Sequence, residues 1–449
     1  MMGNFVERPR FTCALGGAIT TVSALPRTIH IIHAPPGCAG NLAWTQAGGC
    51  GLQVGGYCGG MSMPGTNVQE REVVFGGADR LSEQVDNTLK VMDGDLYFVL
   101  TSCVTEIIGD DVRSVVGPLA NEGIAIIYAE TAGFKGNSYQ GYDLVIESLF
   151  RNYVIKNKRK TKKQVNLWGV PPGFDAFWRG NLLELRRLLQ RLGLSVNTFF
   201  TGEDNLEAIR KAGSAGLNIV VSEVFGGQAA ATATEIHGIP SLISPLPIGP
   251  SASAEFLRRV GAACSIDERL TEQVITEETM RYYQFLEPLT DCFNDMDLQR
   301  YAAVVGDANY AVGITRFLAD DLGWLPEVTA VTDVLNEVQE QKIVASLSSL
   351  ESKLYPKIIF SPDTSVIRQE INAHWQEKSQ SIGRYSNPPN PAFVVGSSFE
   401  RELAKDLGAP HLSVSFPVSN RAVLDRGYTG YTGGLRLIED LIGTIIAGR

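Results

Sequence analysis

The sequence lacks the long apolar segment that a membrane-spanning protein needs. It contains no run of eighteen apolar residues, and its first residues have no signal-peptide core. We therefore expect a soluble protein of the cytoplasm. Basic residues are also few, since 39 Lys and Arg stand against 49 Asp and Glu, which leaves a net charge of −10. This acidic balance argues against nucleic-acid binding, which requires a basic surface.

Several catalytic motifs are missing as well. No Gly-Lys pair occurs in the chain, so the phosphate-binding loop of ATP-hydrolysing proteins is absent. The five histidines form no H-x-x-x-H pair, which leaves zinc-dependent hydrolysis without support. A G-x-S-x-G sequence is absent too. The chain is thus not expected to hydrolyse ATP or to act as a zinc or serine hydrolase.

What the sequence does contain is a regular alternation of strand-like and helix-like segments. Short apolar runs are separated by amphipathic stretches that end in glycine, such as NLLELRRLLQRLG and FERELAKDLG. This alternation predicts parallel sheets covered by helices, which is an α/β fold. The predicted strands are 29–33, 96–101, 124–128, 165–170, 217–222, 358–361 and 392–395.

The length of 449 residues exceeds one ordinary core and suggests about three domains. The basic run IKNKRKTKKQ at 155–164 is interpreted as a solvated linker. A polar helical stretch at 267–300 is followed by a new strand-then-helix pattern. We therefore predict three domains, each a parallel sheet flanked by helices: 1–164, 165–300, and 301–449 with a C-terminal helix.

The cysteines are the most informative residues. There are seven, an odd number that argues against a disulfide framework, and five of them fall in the first quarter of the chain. Cys13, Cys38 and Cys103 each lie at a turn or at a strand-to-helix junction, and their thiolates could converge on one iron–sulfur cluster that a second chain completes. The alternative is three buried structural cysteines, because the spacing is not a compact C-x-x-C motif.

Other candidates carry weaker signals. Cys50 and Cys58 lie in the glycine-rich loop GGCGLQVGGYCGG, which we interpret as a surface or interface loop whose cysteines matter little. His33 is expected to be a structural histidine, although it could donate a hydrogen bond to a cluster near Cys38. Asp110 and Asp111 are adjacent on a predicted helix and face different directions, so surface charge is the expected role.

Several motifs, taken together, resemble those of nitrogenase component 1 chains. They occur in the family's order and span nearly the whole chain: FTCALGG, HAPPGCAGN, VVFGGADRL, TSCVTEIIGDDV, GFKGNSYQGYD and FPVSNRAVLDRGYTGYTGGLRLIEDLI. The segments TSCVTEIIGDD and GYTGYTGG resemble the β-type subunit more than the α-type. The resemblance implies a fold of three α/β domains.

The resemblance also assigns roles to residues. It implies that Cys13, Cys38 and Cys103 bind half of an interfacial [8Fe-7S] P-cluster, which is shared with an α-like subunit in an α₂β₂ assembly. The α-type chain holds the catalytic cofactor through a cysteine, but the corresponding segment here, LNIVVSEVFGG, has no thiol. The resemblance therefore implies an oxidoreductase subunit without catalytic residues of its own, which relays electrons from an ATP-dependent iron protein to the partner.

The sequence departs from true nitrogen fixers in three ways. Only twelve residues precede Cys13, and the glycine-rich loop that holds Cys50 and Cys58 is unlike theirs. Asn137 stands where the β-subunit has a cluster-contacting serine, with Ser138 beside it. These features resemble nitrogenase-like reductases, of which methylthio-alkane reductase is favoured. The alternatives are the β-subunit of an alternative nitrogenase and a scaffold for cofactor assembly.

Overall fold

The computed structural model describes residues 6–53, 62–380 and 389–448, which form three separate sheets. Strand order is β1-β2-β3 in the first, β5-β4-β6-β7 in the second and β10-β9-β8-β11-β12 in the third, and every pairing is parallel. The predicted α/β class is confirmed. The strands are β1 Thr28–His33, β2 Leu96–Thr101, β3 Ile126–Ala129, β4 Thr161–Trp168, β5 Ser195–Asn197, β6 Ala215–Val220, β7 Ser241–Ile243, β8 Tyr301–Gly306, β9 Leu325–Val331, β10 Lys357–Phe360, β11 Ala392–Gly396 and β12 His411–Ser413.

Helices cover these sheets and connect their strands. Within the described residues, no helix combines the length and apolar character that a bilayer crossing requires. The α-helices are α1 Ala14–Ser23, α2 Pro36–Gly49, α3 Glu70–Phe75, α4 Ala78–Val91, α5 Cys103–Ile107, α6 Val112–Asn121, α7 Ser138–Ser148, α8 Trp178–Arg191, α9 Leu206–Arg210, α10 Gly227–His237, α11 Gly249–Ala263, α12 Glu268–Leu286, α13 Thr290–Asp295, α14 Ala308–Arg316, α15 Glu337–Ser348, α16 Thr364–Gln380, α17 Arg401–Asp406 and α18 Gly430–Ala447. Shorter 3₁₀ or π segments lie at Gly133–Lys135, Leu149–Tyr153, Ala212–Ser214, Glu287–Leu289, Phe317–Asp321 and Ser398–Glu400.

The three sheets share one continuous apolar core. Phe98 on β2, Trp168 on β4 and Phe393 on β11 are all fully buried members of it. The predicted domain divisions stay a prediction: strand β4 crosses the first, at 164/165, and β8 begins directly after the second, at 300/301. Because the three units share one apolar core, packing between them stabilises each unit.

The structure differs from the sequence-based prediction around Gly109. Asp110 and Asp111 were predicted to lie on a helix, but the chain here forms α5 and α6 with a break between them. Gly109 has a φ of 76°, a left-handed conformation that interrupts a helix and that glycine adopts without strain. Asp110 and Asp111 therefore lie between two helices rather than side by side on one.

One buried histidine of β1 predicts how stability depends on pH. Burial lowers the pKa of His30 to about 4, so it stays neutral in the folded chain. Below the unfolded-state pKa of about 6.5, only the unfolded chain gains this proton, and the free energy of unfolding falls by about 2 kcal/mol between pH 7 and pH 5. Denaturant titrations at both pH values should show this loss in the wild type and a smaller one in His30→Gln. Equal losses would contradict the assignment.

Candidate metal centre

The three candidate cysteines lie at the N-terminal ends of three helices. Cys13 precedes α1 as its N-cap, Cys38 lies in the first turn of α2, and Cys103 is the first residue of α5. The Pro-Pro-Gly segment before Cys38 is not a simple turn, because Pro36 opens helix α2, a position where its missing N–H costs nothing.

Gly133 brings two of these cysteines together. Its backbone N–H donates to the Sγ of Cys103 over 3.0 Å. A Cβ atom at Gly133 would lie 3.1 Å from that sulfur and 3.1 Å from the Cβ of Cys13. Burial raises the pKa of the Cys38 thiol, and the closeness of Cys13 and Cys103 raises it further. The three thiols therefore share one neighbourhood; that they bind a cluster stays a prediction.

The arrangement does not suit a single metal ion. In the part of the chain that the structure describes, no three His, Cys, Asp or Glu side chains form a site for one ion. The three cysteines are all only partly buried, so they remain accessible from outside the chain. Neighbouring thiols that do not enclose a single point fit a larger group with several metal atoms better than one ion.

Glu106 of α5 binds the segment around Gly133 through a hydrogen bond and an ion pair. Its Oε1 accepts hydrogen bonds from the Thr101 hydroxyl (2.5 Å) and from the Ala132 N–H (2.9 Å). Its Oε2 forms an ion pair with Lys135 over 2.8 Å. Lys135 closes the 3₁₀ segment that Gly133 opens, so this carboxylate fixes the position of Cys103 relative to Gly133.

His33 fixes the ends of β1 and β2 rather than pointing to Cys38. Its carbonyl accepts hydrogen bonds from the Ser102 N–H (3.2 Å) and the Thr105 hydroxyl (3.0 Å), next to Cys103. Its ring nitrogens lie 2.9 Å from Asp110 Oδ2 and 3.1 Å from Thr66 Oγ1. Burial lowers the pKa of His33, although the Asp110 carboxylate opposes that shift. The structural role expected for His33 agrees with these contacts.

The expectation of surface charge was wrong for Asp110. Its side chain is 3% exposed, and its Oδ1 accepts from the Gly77 N–H over 2.7 Å at the start of α4. The break at Gly109 allows the carboxylate to reach inward. Asp111 is the N-cap of α6, where it accepts from the Ser114 N–H, and this contact is exposed as expected.

Asn137 lies against Cys13, and its side-chain oxygen already accepts hydrogen bonds within this chain. The two residues form an antiparallel backbone bridge, and the Asn137 Oδ1 caps α7 by accepting from the N–H groups of Tyr139 and Gln140. Ser138 is buried, and its hydroxyl has no hydrogen-bond partner among the described residues. A Cβ on Gly17 would lie 1.8 Å from the Ser138 carbonyl, so α1 and α7 approach too closely for any side chain there.

Of the other four cysteines, three lie in the part of the chain that the structure describes. Cys50 is buried and pairs with Val418 of the third unit, so the surface interpretation was wrong for it. Cys58 falls outside the described residues. Burial raises the pKa of Cys264 to about 11, and Cys292 is exposed. Sequence reasoning missed Gly133 and Glu106, for which the only signal was their place in the family motifs.

A side chain at Gly133 is predicted to disturb the site without unfolding the chain. In Gly133→Ala the new methyl group would press on Cys103 and Cys13, whereas Gly37→Ala adds a methyl group with nothing within 4 Å. We expect Gly133→Ala to lower the metal content of the purified complex by about tenfold, in the range typical for residues that support ligands. Metal analysis with circular dichroism checks this. Wild-type metal content in Gly133→Ala would contradict it.

Comparison with known proteins identifies the family. Residues 13–446 match the family described as nitrogenase component 1 type oxidoreductase. The nitrogenase molybdenum-iron protein beta chain of Methanococcus maripaludis is 24% identical, over 98% of this chain and 94% of that protein. The nitrogenase iron-iron protein beta chain of Rhodobacter capsulatus is 23% identical, again over 98% of this chain and 94% of that protein.

A cofactor biosynthesis protein and a solved structure are also similar to this chain. The nitrogenase iron-molybdenum cofactor biosynthesis protein NifE of M. maripaludis is 27% identical, over 97% of this chain and 83% of that protein. The solved structure "Nitrogenase Cp1 at pH 6.5" has the same fold, with a TM-score of 0.79 and 18% identity over 100% of this chain and 94% of that one. The chain belongs to the nitrogenase component 1 type oxidoreductase family and is a β-type member of it.

Proposed function

We propose that this chain is the β-like electron-relay subunit of a cytoplasmic nitrogenase-like reductase of the methylthio-alkane reductase type. The observation that carries the proposal is the closeness of Cys13, Cys38 and Cys103, all of them partly buried residues, with Gly133 against two of them, Cys13 and Cys103. Three thiols are too few to hold a cluster of several metal atoms, so a second chain would supply the remaining ligands.

The residues present fit an iron–sulfur cluster of the [8Fe-7S], P-cluster-like type. Thiolates are the ligands that such clusters require, and the bare Gly133 leaves the room that a side chain would fill. The Gly133 N–H that reaches the Cys103 sulfur supplies the kind of hydrogen bond that tunes a cluster's potential. A bound cluster would supply one-electron storage and transfer, while this chain positions the thiols.

An apolar surface beside the thiols supports a partner chain. Phe134 directly follows Gly133 and is 62% exposed, and Ile107 at the end of α5 is 73% exposed. Val74 and Phe75 at the end of α3 are 72% and 84% exposed. Large apolar side chains grouped on a surface mark protein interfaces. We assign this surface to contacts with an α-like catalytic subunit in an α₂β₂ assembly and with the ATP-dependent iron protein that supplies electrons.

Asn137 favours a reductase over a molybdenum nitrogenase. Its side-chain oxygen is held by two N–H groups of α7, so it is committed to capping that helix. The Asn137 oxygen is therefore not available to contact a cluster, whereas the hydroxyl of a serine at this position would be. The similarity to the biosynthesis protein NifE keeps a cofactor-assembly scaffold as the second candidate, since that protein also matches nearly the whole chain.

The test is turnover by the purified complex. The chain is co-purified with its α-like partner and supplied with the iron protein, ATP and a reductant. We expect two-electron, two-proton cleavage of a methylthio-alkane to an alkane and methanethiol. Reduction of dinitrogen instead would identify an alternative nitrogenase, and transfer of the metal centre to another protein without turnover would identify a scaffold. Either of those results would overturn the proposal.

A further inference from the structure

A second feature of the fold is a concentration of positive charge at the start of β4. Residues 155–164 contain no acidic and no aromatic side chain, but they contain six cations, which we call the basic segment: Lys156, Lys158, Arg159, Lys160, Lys162 and Lys163. The rest of the chain then has 33 Lys and Arg against 49 Asp and Glu, a net charge of −16. The basic segment is therefore strongly cationic on an otherwise acidic chain.

Backbone contacts hold the basic segment in place. Before it, the Ile155 N–H donates to the Arg210 carbonyl over 2.8 Å. Within it, the Asn157 Oδ1 accepts from the Arg159 N–H over 3.0 Å. At its far end the first residue of β4 pairs with Ala215 of β6. Because both ends are anchored, less backbone order has to be gained when a partner binds.

The cations of the basic segment are available to a partner. Five of them are exposed and form no ion pair within the described parts of the chain: Lys156, Lys158, Arg159, Lys162 and Lys163. The sixth, Lys160, is half-buried and donates to the Gly213 carbonyl over 2.6 Å. On the neighbouring helix α9, Glu207 is paired with Lys211 over 2.9 Å. Like charges this close repel one another, so an anionic partner would relieve the repulsion.

The basic segment lies at the opposite end of the strands from the thiols. Cys38 and Cys103 follow the carboxyl ends of β1 and β2, whereas the basic segment leads into β4. Burial raises the pKa of Tyr153, beside the segment, and the carboxylate of Asp95, which directly precedes β2, adds to that rise. The segment is thus near the amino end of β2, a strand of six residues that spans about 20 Å. A partner that binds here contacts a different surface from the thiols.

The chemistry of the segment favours an acidic protein over other polyanions. Proteins that bind single-stranded nucleic acid place aromatic rings among their cations, and residues 155–164 have none. Duplex DNA and anionic membranes extend well beyond so short a segment, so they also meet the net charge of −16 on the remaining chain. Ile155, which is 49% exposed, is the only apolar side chain of the stretch, too little to enter a bilayer. A compact group of carboxylates meets the cations alone.

We infer that the basic segment binds a carboxylate-rich segment of another protein, whose Asp and Glu side chains pair with the exposed cations. Five of the six cations are lysines, whose flexible stems let the ammonium groups follow carboxylates of varied spacing. Opposite charges on the two surfaces speed the encounter and make the affinity sensitive to salt. The inference does not depend on the proposed cluster.

Fluorescence anisotropy of a labelled oligoglutamate peptide tests the inference on the full-length chain. We expect saturable binding that weakens as the salt concentration rises from about 20 to about 200 mM. One variant replaces four exposed cations of the basic segment: Lys158→Gln/Arg159→Gln/Lys162→Gln/Lys163→Gln. It should bind the peptide about tenfold more weakly, as expected for the loss of four exposed charge pairs. The matched control replaces four exposed cations elsewhere and should bind like the wild type: Lys90→Gln/Arg269→Gln/Lys342→Gln/Lys405→Gln.

Duplex DNA and vesicles of anionic lipid are compared with the peptide at the same salt concentration. Each should bind more weakly than the peptide, because each also meets the acidic remainder of the chain. Tighter binding of either one that is lost in the segment variant would show a surface for nucleic acid or for membranes and would overturn the inference. The absence of saturable peptide binding, or equal affinities of the segment variant and its control, would overturn it too. None of these outcomes bears on the thiols, which iron analysis tests separately.

Discussion

Replacing Cys103 by alanine is expected to remove the shared cluster and the electron-relay activity while the chain stays folded. Cys103 is one of the three thiols that we propose as cluster ligands, and its sulfur accepts the Gly133 N–H. The fold near it depends on other groups, chiefly Ser102 and Thr105 at the carbonyl of His33. We expect iron at the interface to fall to background and turnover to drop at least about 100-fold, the upper end of the loss seen when a ligand's support is removed.

The control for this experiment is Cys292→Ala. Cys292 is an exposed cysteine on α13, far along the chain from the three thiols, so its removal should leave iron content and turnover unchanged. Cys38→Ala should behave like Cys103→Ala. Full iron content and activity in either variant, with the complex intact, would show that these thiols do not hold the cluster.

Breaking the ion pair between Arg10 and Glu400 is expected to have the largest effect on stability. Both side chains are 2% exposed, and the Arg10 guanidinium bridges Glu400 and the Ser397 hydroxyl. Burial raises the pKa of Glu400, but Arg10 and the Ser397 N–H outweigh it and hold that pKa below its ordinary value. Arg10→Met leaves a buried carboxylate unpaired and should cost about 3 to 5 kcal/mol of unfolding free energy.

Arg8→Met is the matched control for that loss. Arg8 lies two residues earlier, is 45% exposed, and faces Glu402 at 3.7 Å, so its removal should cost at most about 1 kcal/mol. The double variant Arg10→Met/Glu400→Gln should lose less than the sum of the two single variants, because no unpaired charge remains. Denaturant midpoints of the wild type and of the four variants Arg8→Met, Arg10→Met, Glu400→Gln and Arg10→Met/Glu400→Gln measure these losses. Similar losses in Arg10→Met and Arg8→Met would show that the buried pair does not stabilise the chain.

The Arg10 pair also shows why the third unit matters to the site. Arg10 precedes Cys13 by a few residues, and Glu400 lies between β11 and α17. The ion pair therefore fastens the segment that carries Cys13 to the distant third sheet. Iron loading should fall in Arg10→Met even at temperatures where the complex remains assembled.

Local sequence pattern accounts for much of the fold. The predicted strand at 96–101 coincides with β2, because its six residues are all apolar or buried and are followed by a capped helix. Strands β5, β7 and β12 were missed, since three residues are too few to show periodicity. Strand β9 was missed as well; it contains Pro326 and Glu327, which weaken a strand pattern.

The site was predicted less completely than the fold. Residue types and their positions indicated Cys13, Cys38 and Cys103, but their common role came from the resemblance to a family. Gly133 could not be recognised from sequence, because its importance arises from contact with two cysteines distant in the chain. Asp110 was misjudged for a similar reason: its partner, His33, is 77 residues away, and only the fold brings them together.

The most direct test of the proposed role is an iron-anomalous map of this chain in complex with its α-like partner. We expect one iron–sulfur cluster at the interface, with the sulfurs of Cys13, Cys38 and Cys103 as this chain's ligands and Gly133 beside Cys13 and Cys103. An interface without iron, or iron held by the partner alone with these three sulfurs unbound, would contradict it.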